Sequence, residues 1–175
     1  QWADEWETPT LTGSPNQVSA LQFDHLAGRD ADGVVQFLPH AGNLTRSIVI
    51  RSANPNGVRG HVFFVRRADV DIRYAAFVDL GRTTLGPLGA GNQLGRYSLH
   101  MHHLFGPATP QSNGKQFTLI GNAIEGGSKW GITVHNSHYG LIQDNVIFNT
   151  GGAGIMTEDG SETGNVFDHN LVVAA

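Results

Sequence analysis

The chain has 175 residues, enough for one domain with a real core, and carries 15% charged residues with a net charge of −4. That sparse, mildly acidic balance, with no run of lysine or arginine, excludes a basic nucleic-acid surface. Cysteine is absent, which excludes disulfides and thiolate metal sites, and no run reaches the roughly eighteen apolar residues that a membrane span needs.

The opening run, QWADEWETPTLTGSPNQ, reads as irregular strand and loop, because Pro9, Gly13 and Pro15 interrupt any helix. It has neither an initiator methionine nor the apolar stretch of a signal peptide, and reads as a mature or excised terminus. Residues 1–43 are expected to lead into a repetitive body over 44–175.

Short β-branched runs follow. Ser47–Arg51 (SIVIR) and Val70–Tyr74 (VDIRY) stand about one repeat apart. FTLIGNAI, LIQDNVIF and VFDHNLVV then place Asn122, Asn145 and Asn170 in one slot, 23 and 25 residues apart. Between them, KWGITVHNS and GGAGIMTEDG align at Ile132 and Ile155, again 23 apart. A period in the low twenties built of short strands is the sign of a β-solenoid. Two Gly/Pro-rich stretches, 83–95 and 106–114, read as loops inserted into one coil.

The predicted fold is therefore all-β, a parallel β-helix of about four to five coils with two strand types per coil. Right-handed winding follows from the general handedness of parallel crossovers. The three asparagines are expected to form an internal ladder. No polar cap follows HNLVVAA, so the solenoid is expected to belong to a longer chain, or to be covered at its end by oligomerisation.

Period-two alternation assigns faces to the second strand of each coil. Leu99, Met101, Ile132, Val134, Ile155 and Thr157 take inward slots. His100, His102, His135 and Glu158 then share one outward wall, with His61 at its edge and Asp159 at the following turn. Neighbouring strands lie about 4.8 Å apart, so these groups can converge. Three imidazoles and a carboxylate suit a divalent cation such as Zn²⁺, with His61 and Asp159 as further candidate ligands. They equally suit acid–base catalysis by His100, His102, His135 and Glu158. The blander alternative is a row of surface histidines packed on each other. His103 is expected to turn inward or into the corner, and His25, His40, His138 and His169 read as structural or surface residues.

Arg96 and Tyr97 abut this wall, with Arg82 in the flanking loop run, and an arginine fork suits a substrate carboxylate. Trp130 suits a sugar face or, as easily, a cover for the corner. Asp71, Arg73 and Asp79 read equally as a network pinning the loops. Adjacent Glu158 and Asp159 are expected on opposite faces, which counts against a retaining hydrolase, whose two carboxyls stand about 5–5.5 Å apart.

The runs NQLGRYSLHMHHLFG, GITVHNSHYGLIQDNVIFNT and TEDGSETGNVFDHNL resemble one family over most of Leu44–Val173. It is the family of the cell-migration-inducing hyaluronan-binding protein and the cell-surface hyaluronidase known as transmembrane protein 2. The resemblance implies a right-handed parallel β-helix, hyaluronan binding or depolymerisation outside the cell, and calcium dependence. It carries over His100, His102, His135, Glu158, Asp159 and His61. Two positions depart from the motif: Ser98 stands where the animal proteins have proline, and Ala153 where they have histidine.

The expected function is an extracellular, cell-surface or periplasmic protein acting on an acidic, hyaluronan-like polysaccharide, as a metal-assisted lyase or hydrolase using zinc or calcium. Two other classes stand beside it. A glycan-binding module would retain substrate after loss of His100, and a structural or adhesive solenoid would not depend on the histidines at all.

Overall fold

The computed structural model describes residues 28–29, 31–37 and 41–175. Expectations for residues 1–27, including His25, and for His40 lie outside them. The chain divides into two units, Gln1–Gly42 and Asn43–Ala175. In the first, β1 (Gly28–Arg29) and β2 (Val35–Phe37) pair antiparallel.

Every strand of the second unit belongs to one of three parallel sheets. The first stacks β4 (Val62–Arg66), β7 (Leu99–Leu104), β10 (Ile132–His135) and β13 (Ile155–Thr157). The second stacks β5 (Val70–Arg73), β8 (Phe117–Ile120), β11 (Gly140–Gln143) and β14 (Val166–Asp168). The third stacks β3 (Ile48–Arg51), β6 (Ala75–Val78), β9 (Ala123–Glu125), β12 (Val146–Phe148) and β15 (Leu171–Val173). The chain visits the sheets in turn, so β3 is followed by four coils of three strands. This is a right-handed parallel β-helix. Among the described residues there is no helix long and apolar enough to cross a membrane.

Three strands per coil replace the expected two. SIVIR stacks on Ala75–Val78 rather than on VDIRY, which heads the second sheet and pairs with Phe117–Ile120. The reason is that FTLIGNAI is two strands, not one. The backbone turns at Gly121 (φ 64°), and the same corner recurs at Tyr74 (57°), Asp144 (54°) and His169 (53°) in the other coils. A second left-handed column runs through Asp79, Gly126, Asn149 and Ala174. Single left-handed residues bend the chain without a long loop, and tyrosine, histidine or alanine in that conformation is an uncommon choice. Such residues do not announce a turn in sequence.

The asparagine ladder forms at the inner side of the first corner. Asn145 Oδ1 accepts from the Asn122 backbone N–H (2.9 Å) and from Asn122 Nδ2 (3.0 Å), while Asn145 Nδ2 donates to Leu119 O (3.1 Å) and Asn170 Oδ1 (2.9 Å). Both Asn122 and Asn145 are fully buried, so each amide needs all these partners. Around them the core is a column of Leu99, Met101, Phe117, Leu119, Ile124, Ile132, Val134, Ile142 and Ile147, all without solvent exposure. Such close packing holds the outer face of the first sheet rigid.

Candidate functional site

The register of the first sheet builds the wall. Phe63 lies beside His100, Thr133 beside His100 on the other side, and His135 beside His102. Met156 follows Thr133 one coil later. Glu158 continues that alternation just past β13, where its N–H bonds Val134 O at 2.9 Å.

His100 is fully buried despite its outward slot. Its Nδ1 lies 2.9 Å from Gly95 O. A carbonyl can only accept, so Nδ1 carries the proton and Nε2 presents a lone pair. Burial lowers the pKa of His100 to about 4, keeping it neutral. Its Nε2 makes no hydrogen bond and stands 3.7 Å from Glu158 Oε2, which is also buried and without a hydrogen-bond partner.

The other Glu158 oxygen accepts from the Tyr97 hydroxyl at 2.9 Å. Burial, and then that bond to Glu158, push the Tyr97 phenol well above its ordinary pKa, so it remains a donor. His135 collects three partners. Its Nδ1 lies 2.8 Å from His102 Nδ1 and 3.4 Å from Glu158 Oε2, and its Nε2 lies 3.0 Å from Asp159 Oδ2. One ring nitrogen each from His100, His102 and His135 falls within 4.8 Å of the others.

Glu158 and Asp159 thus meet on one imidazole rather than facing apart as expected. The cause is the turn after β13, pinned by a residue the sequence reading missed. Glu162 Oε1 accepts the backbone N–H groups of Asn136 (3.1 Å) and Asp159 (3.3 Å). Asn136 in turn donates Nδ2 to Asp159 Oδ2 at 2.8 Å. Burial pushes the Glu162 carboxyl upward, but its backbone hydrogen bonds outweigh this and hold it below its ordinary value. The signal was the third acidic residue of TEDGSE, three positions after Asp159.

His103 does not turn inward. Val65 pairs with His102 and Arg66 with Leu104, leaving His103 as the extra residue of a bulge at φ 46°. It is exposed, with its ring 4.4 Å from His102 and 4.9 Å from His135. Burial, then His103, His135 and Arg96, lower the pKa of His102.

The remaining candidates frame this cluster. His61 lies outside the trio, its ring 6.4 Å from Phe63, with a pKa lowered by burial and then by Arg82 and Arg96. Arg82 N–H bonds Arg96 O at 2.8 Å, which holds the two arginines side by side. Arg82 also lines a cleft of about 510 Å³ with Val58, Arg59, Thr84 and Gln93. Tyr97 is fully buried and reaches Glu158 rather than open solvent. Trp130 packs at a tilt against Tyr97, ring centroids 4.5 Å apart, with Lys129 Nζ 4.2 Å from the Trp130 centroid. Asp71 pairs with Arg73 on an exposed surface, and Asp79 with Arg59. Ala153 lies one coil beyond Trp130, its carbonyl accepting from Gly131 N–H, so the departure there leaves the histidine–glutamate cluster whole.

The sequence model of the CEMIP β-helix family matches residues 57–175. The chain is 29% identical over 166 residues to human cell surface hyaluronidase CEMIP2, covering 86% of this chain and 11% of that protein. It is also 38% and 35% identical over 85 residues to fibrocystin-L of Mus musculus and Homo sapiens, 49% of this chain and 2% of each relative. The chain therefore spans only a small part of the length of these curated relatives. No solved structure matches it. With the family match running from the loop before β4 through every strand of the wall, the chain belongs to the CEMIP β-helix family.

Proposed function

We propose that this β-helix acts outside the cell or at its surface, where it binds an acidic, hyaluronan-like polysaccharide along the histidine wall and depolymerises it with a divalent cation. The observation that carries this is the pair of orphaned atoms, His100 Nε2 and Glu158 Oε2. Two buried acceptors aimed at each other cost free energy unless something positive lies between them. The name of the human relative, a cell surface hyaluronidase, supports the substrate class and the location.

The residues fit such a cation. His100, His102 and His135 with Glu158 would hold it, and this nitrogen-rich set suits Zn²⁺ better than Ca²⁺, which takes oxygen ligands. The Gly95 carbonyl orients His100 as backbone carbonyls orient metal-binding histidines elsewhere. When bound, the cation supplies Lewis-acid neutralisation of charge on the substrate.

The chain's own groups do the rest. Arg96 and Arg82 bind a uronate carboxylate. Asp159 accepts from Nε2 of His135, fixing its proton there and directing the Nδ1 lone pair into the cluster. Tyr97 holds Glu158 in place. His103, exposed beside His102 and His135, is free to take or give a proton at the sugar.

The test follows hyaluronan chain length on incubation with the purified protein. Shortening that chelator abolishes and Zn²⁺ restores is the expected result, and unsaturated ends would mark elimination rather than hydrolysis. Hyaluronan that binds but keeps its length would replace depolymerisation with a binding role.

A further inference from the structure

Phe63 occupies an outward slot of β4, directly beside His100, and is 36% exposed. It is the most exposed apolar side chain of the wall. A single exposed phenyl ring needs no explanation by itself. This one is ringed by imidazoles, with centroids 6.4 Å from His61, 5.1 Å from His100 and 4.9 Å from His102.

Positive charge gathers at the same place. Arg96 bears on both His61 and His102, the imidazoles on either side of Phe63, and Arg82 bears on His61. Neither guanidinium has a hydrogen bond or ion pair among the described residues, yet the backbone holds the two arginines side by side. Thr83 enforces this, being fully buried, accepting from Arg96 N–H at 2.8 Å and donating to Gln93 O at 2.6 Å. Two unpaired guanidiniums carried on adjoining backbone, both acting on His61, are open to an anion.

We propose that Phe63 and Arg96 form a uronate subsite next to the histidine cluster, with the phenyl ring under the apolar face of the sugar and the guanidinium on its carboxylate. This rests on the polysaccharide reading of the wall and adds to it where one sugar sits. A pyranose has an apolar C–H face and polar edges, and a uronate adds a carboxylate at one edge. An aromatic platform beside an unpaired arginine matches both features at once. Covering the ring removes apolar area from water, while the planar fork sets the sugar's direction.

The experiment measures the affinity of a short, size-defined hyaluronan oligosaccharide by calorimetry for the natural protein, Phe63→Ala, Phe63→Leu and Phe63→Trp. Metal content and thermal unfolding are followed in parallel. Phe63→Ala and Phe63→Leu are each expected to weaken binding roughly tenfold, about 1.4 kcal/mol, with metal content unchanged, while Phe63→Trp binds as the natural protein does. Natural affinity in Phe63→Ala or Phe63→Leu would overturn the platform. So would loss of metal in these variants, which would make Phe63 a support for the histidines. A natural protein that binds neither hyaluronan nor alginate would overturn the polysaccharide reading itself, and the subsite with it.

Discussion

Tyr97 and Glu158 stand 61 residues apart and meet through a 2.9 Å hydrogen bond from phenol to carboxylate. Tyr97 precedes β7 and Glu158 follows β13, so the bond spans two coils and closes the histidine cluster at one side. It leaves Glu158 one committed oxygen and one aimed at His100 and His135.

Tyr97→Phe keeps the ring packed between Trp130 and His100 but removes this donor. A hydrogen bond to a buried carboxylate contributes roughly 2 kcal/mol, so a modest loss of stability is expected. Loss of an outer partner of a metal ligand lowers metal affinity about 10- to 100-fold. Zinc titration of the variant against a competing chelator checks this. Unchanged affinity would show that Glu158 needs no anchor.

Asn145→Ala strikes the ladder at its centre. It takes the Asn145 side-chain partner from the Asn122 N–H and from Leu119 O, and one hydrogen bond each from Asn122 Nδ2, which keeps Ile72 O, and Asn170 Oδ1, which keeps the backbone N–H of residue 145. A buried orphan costs about 1–3 kcal/mol and a lost hydrogen bond about 0.5–1.5 kcal/mol, so a summed loss of about 3 kcal/mol is expected, read by denaturant unfolding. A loss under about 1 kcal/mol would mean that water replaces the amide at little cost.

The ladder and the wall were legible because their signals repeat. Asn122, Asn145 and Asn170 hold one slot, and HMH alternates in a strand whose neighbours align at Ile132 and Ile155. The third sheet was not legible, because its corners use Tyr74, Asp144 and His169 where a turn signature would be expected. The bulge at His103 was not legible for a related reason. Strict alternation cannot foresee a bulge, and the one at His103 shows only in its pairing with β4, far away in sequence. The meeting of Glu158 and Asp159 depends on a turn held by Glu162, which periodicity does not describe.

The buried state of His100 implies a pH dependence for metal-free protein. Its folded pKa of about 4 lies below the unfolded value near 6.5, so folding favours the neutral ring. The stabilisation is complete above about pH 6.5 and is lost as pH falls from there toward 4. Chelator-treated protein is expected to be less stable at pH 5 than at pH 7 by up to about 2 kcal/mol. His100→Gln should flatten this dependence in chemical denaturation. An equally steep loss in that variant would assign the titration to another group.

The central claim is that His100, His102, His135 and Glu158 form a cation site. Elemental mass spectrometry of the purified protein, beside a His100→Ala/His102→Ala variant confirmed as folded, tests it most directly. Close to one zinc per natural chain and none in the variant is the predicted result. Natural protein that stays metal-free after incubation with Zn²⁺ and desalting would contradict it, and the facing lone pairs of His100 and Glu158 would then need a shared proton instead.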